Sequence, residues 1–266
     1  MRRLGVGYRK ALDDWLNTRP TQVKSLEITA EHFFDSGDEF LTTLSESYPL
    51  LVHGLGISLG TPGPLCKDTL SKFARVAKAA NAEWVSEHVA FSRTADVDLG
   101  HLNPVPHNEE SLKVLVDHAL EVSTVCGRPL VLENITSSLK VPGSISETDF
   151  LNRLCQQANC GLLLDATNLF INAKNHNYDP FAWFRELEPS SIRQMHVVGY
   201  HQRDGVYHDS HSAVIQDDLL ELIIAIVEYS DVEAITLERD GRLDEIEEIE
   251  HELNRLHDAF GQISTS

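Results

Sequence analysis

Short apolar runs, each bounded by polar or turn-forming positions, recur along the chain. They read LGVGY (4–8), SLEIT (25–29), LLVHG (50–54), EWVSEH (83–88), LVLEN (130–134), LLLDA (162–166), QMHVVG (194–199) and AITLE (234–238). Between them lie stretches whose apolar positions return every three or four residues, among them TLSKFARVAKAAN and SLKVLVDHALEVSTVCG. The first pattern is that of buried strands, the second that of amphipathic helices. About eight alternations of strand and helix predict a closed (β/α)8 TIM barrel, with an open doubly wound sheet as the alternative. No GxGxxG follows the first strand, which removes the usual nucleotide-binding form of that alternative. Near the C-terminus, Leu243, Ile246, Ile249, Leu253 and Leu256 recur at helical spacing within LDEIEEIEHELNRLHDAF. The many acids there then form the solvated face of a helix that packs inward. The closing GQISTS reads as frayed chain.

A length of 266 residues suits one barrel, so a single domain over 1–266 is expected, and 42% hydrophobic residues suffice for its core. There is no run of about 18 apolar residues, and the opening MRRLGVGYRKALDDW lacks the apolar segment of a secretory signal. A cytoplasmic protein with no membrane association is the expectation. Cys66, Cys126, Cys155 and Cys160 are widely spread without a CxxC, and read as reduced, mostly buried thiols. The net charge of -19, from 22 basic and 41 acidic side chains with no Lys/Arg run, disfavours a phosphate backbone as partner. No nucleic acid is expected to bind.

Barrel enzymes carry their chemistry at the C-terminal ends of the strands. His53 ends the third predicted strand and His88 the fourth; Glu133 lies at the end of the fifth, with Asn134 next; Asp165 lies at the end of the sixth, with Asn168 just beyond. His196 lies in the seventh strand and Glu238 ends the eighth, while Asp209 and His211 follow the seventh in its loop, HDSHS. Alternate residues of an extended segment share a face, so Asp209 and His211 can point together. Singly, each residue has an ordinary structural role: a satisfied polar group, a helix cap, a turn. Together they converge on one rim, where crowded carboxylates repel one another and lose hydration. A divalent or trivalent cation offsets that charge, and imidazole with carboxylate suits iron, manganese or zinc. His101, His107, His176, His201 and His208 fall in rim loops, where substrate contacts are open to them. His32, His118, His251 and His257 fall in helical stretches and read as ordinary structural residues.

In this order the motifs GVGYR, SLEITAEHFF, LVHGLGISLG, VSEHVAF, LVLENITSSL, LLDATNLFINAKNH, MHVVGY, HDSHSAV and ITLERDG resemble those of the multinuclear non-heme iron-dependent oxidases, over nearly the whole chain. The methanobactin-biosynthesis enzyme and the peptide-cysteine carbon-excising enzyme belong to that family, whose fold resembles endonuclease IV and xylose isomerase. The resemblance implies that Glu133 bridges two metals, His53 and His88 bind the first, and Asp165, His196 and Glu238 bind the second. Asn168, Asp209 and His211 would hold a third. It implies two or three Fe(II)/Fe(III) ions, O2 as co-substrate, a cysteine of a ribosomally made precursor peptide as substrate, and a leader-peptide-binding partner protein. The product would be an oxazolone with thioamide, or a peptide that has lost the cysteine β-carbon. Asp165-x-x-Asn168 resembles the oxidases, where endonuclease IV-like enzymes carry Asp-x-x-His. The chain departs from the family at Tyr200, where many members have a second His, at Glu87, where many have Asp, and at Thr167, a common Asn. The alternatives are a zinc- or manganese-dependent hydrolase or isomerase on the same barrel, and a non-catalytic metal-binding subunit.

Overall fold

Each predicted apolar run forms a strand of one closed parallel barrel in the computed structural model, which describes residues 2–94 and 97–263. The strands are β1 (Arg3–Gly7), β2 (Ser25–Thr29), β3 (Leu50–His53), β4 (Val85–His88), β5 (Leu130–Glu133), β6 (Gly161–Asp165), β7 (Ile192–Val197) and β8 (Ala234–Leu237). They pair in sequence order, and β8 closes onto β1 with Arg3 opposite Ala234. The helices between them are α1 (Asp13–Asn17), α2 (Glu39–Ser47), α3 (Lys67–Ala79), α4 (Glu109–Cys126), α5 (Glu147–Ala158), α6 (Ala166–His176), α7 (Pro180–Phe184), α8 (Asp217–Tyr229) and α9 (Ile246–Ile263).

The amphipathic reading of the helices holds in detail. Leu70, Phe73, Val76 and Ala77 of α3 and Leu219, Leu222, Ile223 and Ile226 of α8 turn onto the barrel and are buried. Burying a side chain the size of Val, Leu, Ile or Phe contributes about 1.5–3 kcal/mol. Asn108 and Ser146 cap α4 and α5 by accepting from backbone N–H groups, and left-handed Gly127, Asn159 and Asn177 end α4, α5 and α6.

Several features depart from the sequence reading. The fourth and eighth strands are shorter than predicted, since β4 starts at Val85 and Glu238 lies just beyond β8, while β7 keeps its length but begins and ends two residues earlier, at Ile192 and Val197. Two antiparallel hairpins rise from the rim instead of loops. One pairs Ala90–Arg93 with Asp98–Pro104, the other Gly199–Arg203 with Val206–Ala213. Asp209 and His211 therefore lie in a hairpin strand, whose register shifts between Tyr200 and Gly199, and His211 is left-handed at φ 47°. Only Cys155 of the four free thiols is fully buried, and Cys66 is exposed at the start of α3. Gly261–Ile263 continue α9 rather than fraying, and Ser264–Ser266 lie outside the described residues. Among the described residues, no helix is long and apolar enough to cross a membrane.

Candidate metal centre

Side chains two residues apart on a barrel strand point the same way, so the interior fills in layers. Leu51, Trp84, Val131, Leu163 and Ala234 form an apolar plug low in the barrel. Two residues further along the same strands stand His53, Ser86, Glu133, Asp165 and Thr236, with His196 two beyond Gln194 on β7. Another step along brings His88 and Glu238. The polar layers thus sit on a dry floor. His53, His88, Glu133, Asp165, Asn168, His196 and Glu238 are all buried, none more than 8% exposed.

These residues form two groups that share one member. Ligand atoms of His53, His88 and Glu133 lie within 4.8 Å of one another, as do those of Glu133, Asp165, His196 and Glu238. Glu133 offers a different oxygen to each group. Its Oε2 lies 3.4 Å from His53 Nε2 and 3.3 Å from His88 Nε2, and its Oε1 lies 3.3 Å from His196 Nδ1. Two donors at about 2.1 Å from one cation, at right or tetrahedral angles, stand roughly 3.0–3.5 Å apart. Glu133 Oε2, His196 Nδ1 and Asn168 Oδ1 are buried without a hydrogen-bond partner. Such orphans in adjoining groups are costly unless cations satisfy them. The donor set fits a metal.

Residues behind the ligands fix their orientation. Trp84 Nε1–H donates to Gln194 Oε1 at 2.6 Å. That leaves the Gln194 amide nitrogen to donate to Glu27 Oε2. The other oxygen of Glu27 lies 2.7 Å from His196 Nε2. An indole nitrogen is a donor only, so it sets the polarity of the whole chain. Glu27 therefore accepts the Nε2 proton of His196, and Nδ1 is the nitrogen turned toward Glu133 and Glu238, the latter at 3.0 Å. His53 Nδ1 is held by Ser86 Oγ at 2.8 Å, which turns Nε2 toward Glu133. Asn168 Nδ2 donates to Asn134 O at 3.0 Å, which leaves its Oδ1 for the site. Asp165 caps α6 through Asn168 N at 2.6 Å and keeps its second oxygen free.

The charges show how unstable the set is without a cation. Burial pushes the Asp165 carboxyl well up, and Glu133 and Asp209 push it further. Burial would lower the imidazolium of His88, but Glu133 and Glu87 overcome it and hold the group at about 9. Against its own burial, Glu133 is drawn down to about 2 by His196 and His88. Protons thus occupy part of the role of a cation.

Asp209 and His211 reach the same place from the hairpin. A cavity of about 420 Å³ is lined by His53, His88, Glu133 and Glu238 together with Asn168, Asp209 and His211. His211 Nε2 lies 2.6 Å from Asp209 Oδ2, and its Nδ1 lies 3.2 Å from Asp240 Oδ2. Despite partial burial, these acids hold the imidazolium up to about 11. His101 lines this cavity too. His107 and His176 line a neighbouring cleft, whereas His201 and His208 are exposed opposite each other on the hairpin, outside both. His32 lies in a 3-10 helical turn after β2 and also lines this cavity. His118 is structural, with its ring nitrogens 2.7 and 2.8 Å from Leu59 O and Gly63 O. Glu27, Arg9 and Asp240 were not singled out from sequence. Arg9 binds Asp240 through Nε at 2.6 Å and supplies a positive charge at the cavity mouth.

Fold and site together define a TIM-barrel enzyme class with a buried imidazole and carboxylate set at the C-terminal rim. The family described as RiPP precursor modification enzyme MbnB/TglH/ChrH matches residues 3–260, and the chain belongs to it. A UPF0276 protein of Chromobacterium violaceum is 32% identical over 215 residues, covering 80% of this chain and 76% of that protein. Among solved structures, the xylose isomerase domain protein of Planctomyces limnophilus superposes with a TM-score of 0.66 at 14% identity, covering 100% of this chain and 99% of that one. Endonuclease IV of Thermus thermophilus gives 0.62 at 15%, covering 98% and 99%. At such identities these two likenesses establish the barrel alone.

Proposed function

We propose that the protein is an O2-dependent multinuclear iron oxidase that modifies a cysteine of a ribosomally synthesised precursor peptide. The modification is oxazolone and thioamide formation, or excision of the cysteine β-carbon. The observation that carries this reading is Glu133, which offers one oxygen to His53 and His88 and the other to the group of Asp165, His196 and Glu238. The family assignment supplies the peptide substrate class. Asn168, Asp209 and His211 are assigned to a third ion. Iron bound here supplies the redox electrons and Lewis acidity that oxidation of a thiol-bearing carbon by O2 requires.

The chain's own residues account for the rest. Glu27 and Ser86 hold His196 and His53 in the tautomers that present a lone pair to the centre. The apolar plug closes the floor, so water and substrate enter only from the rim. None of the four cysteines lines the cavity, so a sulfur donor there has to come from the substrate. His101, His32 and Arg9 line the cavity and are assigned in this reading to contacts with the peptide backbone. A leader-peptide-binding partner protein completes the proposal.

Co-expression with cysteine-bearing precursor peptides encoded beside the gene, read by mass spectrometry, tests it. A cysteine-localised mass change that requires iron and O2 is expected. Stoichiometric zinc without iron, with activity restored by zinc alone, would replace this reading by a hydrolase or isomerase.

A further inference from the structure

The segment Asn134–Ser137, just after β5, is a wall with a cavity on each side. Ile135 and Thr136 line the metal cavity, while Asn134, Ile135 and Ser137 line a second cleft of about 460 Å³. α6 latches this wall in place. Asn172 Oδ1 accepts from Ser137 N at 2.9 Å, its Nδ2 donates to Ile135 O at 2.8 Å, and His176 Nε2 lies 2.5 Å from Ser137 O. The cleft is therefore a built feature of the rim, adjoining the site where the substrate cysteine would sit.

Its lining combines an aliphatic wall with an uncompensated acid. Val89, Val105, Val141 and Leu151 supply the wall, and Glu147 and Tyr178 the polar end. Glu147 Oε2 accepts from Trp183 Nε1 at 3.1 Å. Burial pushes its carboxyl up and the Trp183 hydrogen bond draws it down, and among the described residues no ion pair to Glu147 is formed. Tyr178 lines the same cleft, where burial raises its phenol and the charge of Glu147 raises it further. Glu147 is the first residue of α5, where the free N–H groups of the helix start favour the ionised carboxylate. Lys140, the one Lys or Arg among the described residues that line the cleft, donates to His176 O at 3.3 Å. A half-buried carboxylate beside a phenol, at the end of an aliphatic channel, is complementary to a long side chain with a cationic head.

We propose that this cleft is a specificity subsite that receives an arginine or lysine side chain of the peptide, near the cysteine held in the metal cavity. The stem lies along Val89, Val105, Val141 and Leu151, and the head donates to Glu147 and Tyr178. The inference rests on the peptide-modifying reading above, yet its test does not.

The full chain, purified with its metals, is titrated with Nα-acetyl-L-arginine amide and Nα-acetyl-L-lysine amide and followed by saturation-transfer NMR. Nα-acetyl-L-norleucine amide is the neutral control. Saturable millimolar binding of at least one cationic probe is expected, about tenfold or more tighter than norleucine, in keeping with a hydrogen bond to a charged group. Glu147→Gln removes that preference, and Tyr178→Phe, which keeps the ring, weakens it severalfold and serves should Glu147→Gln not fold. His53→Ala, which disables the metal site, leaves the binding in place. A protein that modifies no peptide therefore refutes the oxidase reading without touching this titration. Equal binding of norleucine, no saturable binding of either cation, or an unchanged preference in both cleft variants overturns the subsite.

Discussion

Glu27→Gln isolates the contribution of a carboxylate that lies behind the candidate metal ligands rather than among them. The change keeps the shape and removes the charge. In the native chain Glu27 accepts on both oxygens, from His196 Nε2 at 2.7 Å and from the amide of Gln194. Gln194 cannot turn its amide over, because its oxygen is taken by Trp84 Nε1 at 2.6 Å. A glutamine at 27 therefore directs an N–H at another N–H, whichever way it is placed. The conflict costs about 1–3 kcal/mol at a fully buried point. It is relieved if His196 moves its proton from Nε2 to Nδ1, which destroys the ligand. Loss of such an orienting partner typically costs about 10- to 100-fold in metal affinity, or about 1.4–2.7 kcal/mol. The loss should fall on the group of Asp165, His196 and Glu238, with His53 and His88 far less affected. Metal content after dialysis against graded chelator, with anomalous diffraction to place the remaining ions, reads this out. Retention of both ions at native affinity, in a protein of native melting temperature, refutes the proton-chain argument and the assignment of His196 Nδ1 as a ligand atom.

Glu133→Gln, by contrast, is expected to empty both groups together, because a neutral carboxamide bridges two cations poorly; one ion kept at full occupancy would show that Glu133 serves a single site. Asp209→Ala combined with His211→Ala should remove a third ion and leave the other two, as counted by diffraction at the iron edge; three ions at undiminished occupancy would assign the pair to substrate or to ligand orientation. In metal-free protein, the His88 imidazolium is held at about 9 against its ordinary 6.5, so its stabilisation is complete below pH 6.5 and lost as pH rises through 9. The melting temperature of the metal-free chain should fall across that interval, while that of the loaded chain holds, because bound metal replaces the proton; a flat metal-free profile contradicts the placement of His88 between Glu133 and Glu87.

What was legible in the sequence was the residue at each strand end. A polar side chain closing an apolar run is conspicuous, and six strands that each deliver one define a rim. Glu27 is different. It stands in the middle of SLEIT, and every residue of β2 is buried, so alternation gives no contrast between inside and outside. Its direction is recoverable from register alone: Glu27 pairs with Leu51, which shares its face with His53 two residues on. The second hairpin was readable and was missed. Asp204-Gly205, with both residues left-handed at φ 52° and 81°, is a two-residue turn of the kind that tightly closes a hairpin. The left-handed bulge at His211 was not readable, because no residue type announces it and the polar alternation of HDSHS suits a regular strand equally well.

That bulge bears on how the ligands are held. His53, His88, Glu133, Asp165 and His196 sit on strands whose mutual positions are set by the barrel's hydrogen bonds, and Glu238 follows β8 with its backbone N bonded to Val197 O at 3.0 Å. A shift of any one of them strains a closed ring. Asp209 and His211 are tied only through the hairpin and through Asp240 and Gly241, whose N–H groups both bond to His211 O, at 2.7 and 3.2 Å. Their charges already compensate one another, since His211 lies between Asp209 and Asp240 while Arg9 neutralises Asp240. A third ion would have to displace a proton held on His211 at about 11, and ions in the barrel groups would have to displace those held on His88, at about 9, and on His196, which Glu27, Glu238 and Glu133 hold up against its burial. In the proposed reading the two buried groups are set by the barrel's own hydrogen bonds, whereas the hairpin position depends on how the hairpin sits, at the point where a bound peptide would press on the rim.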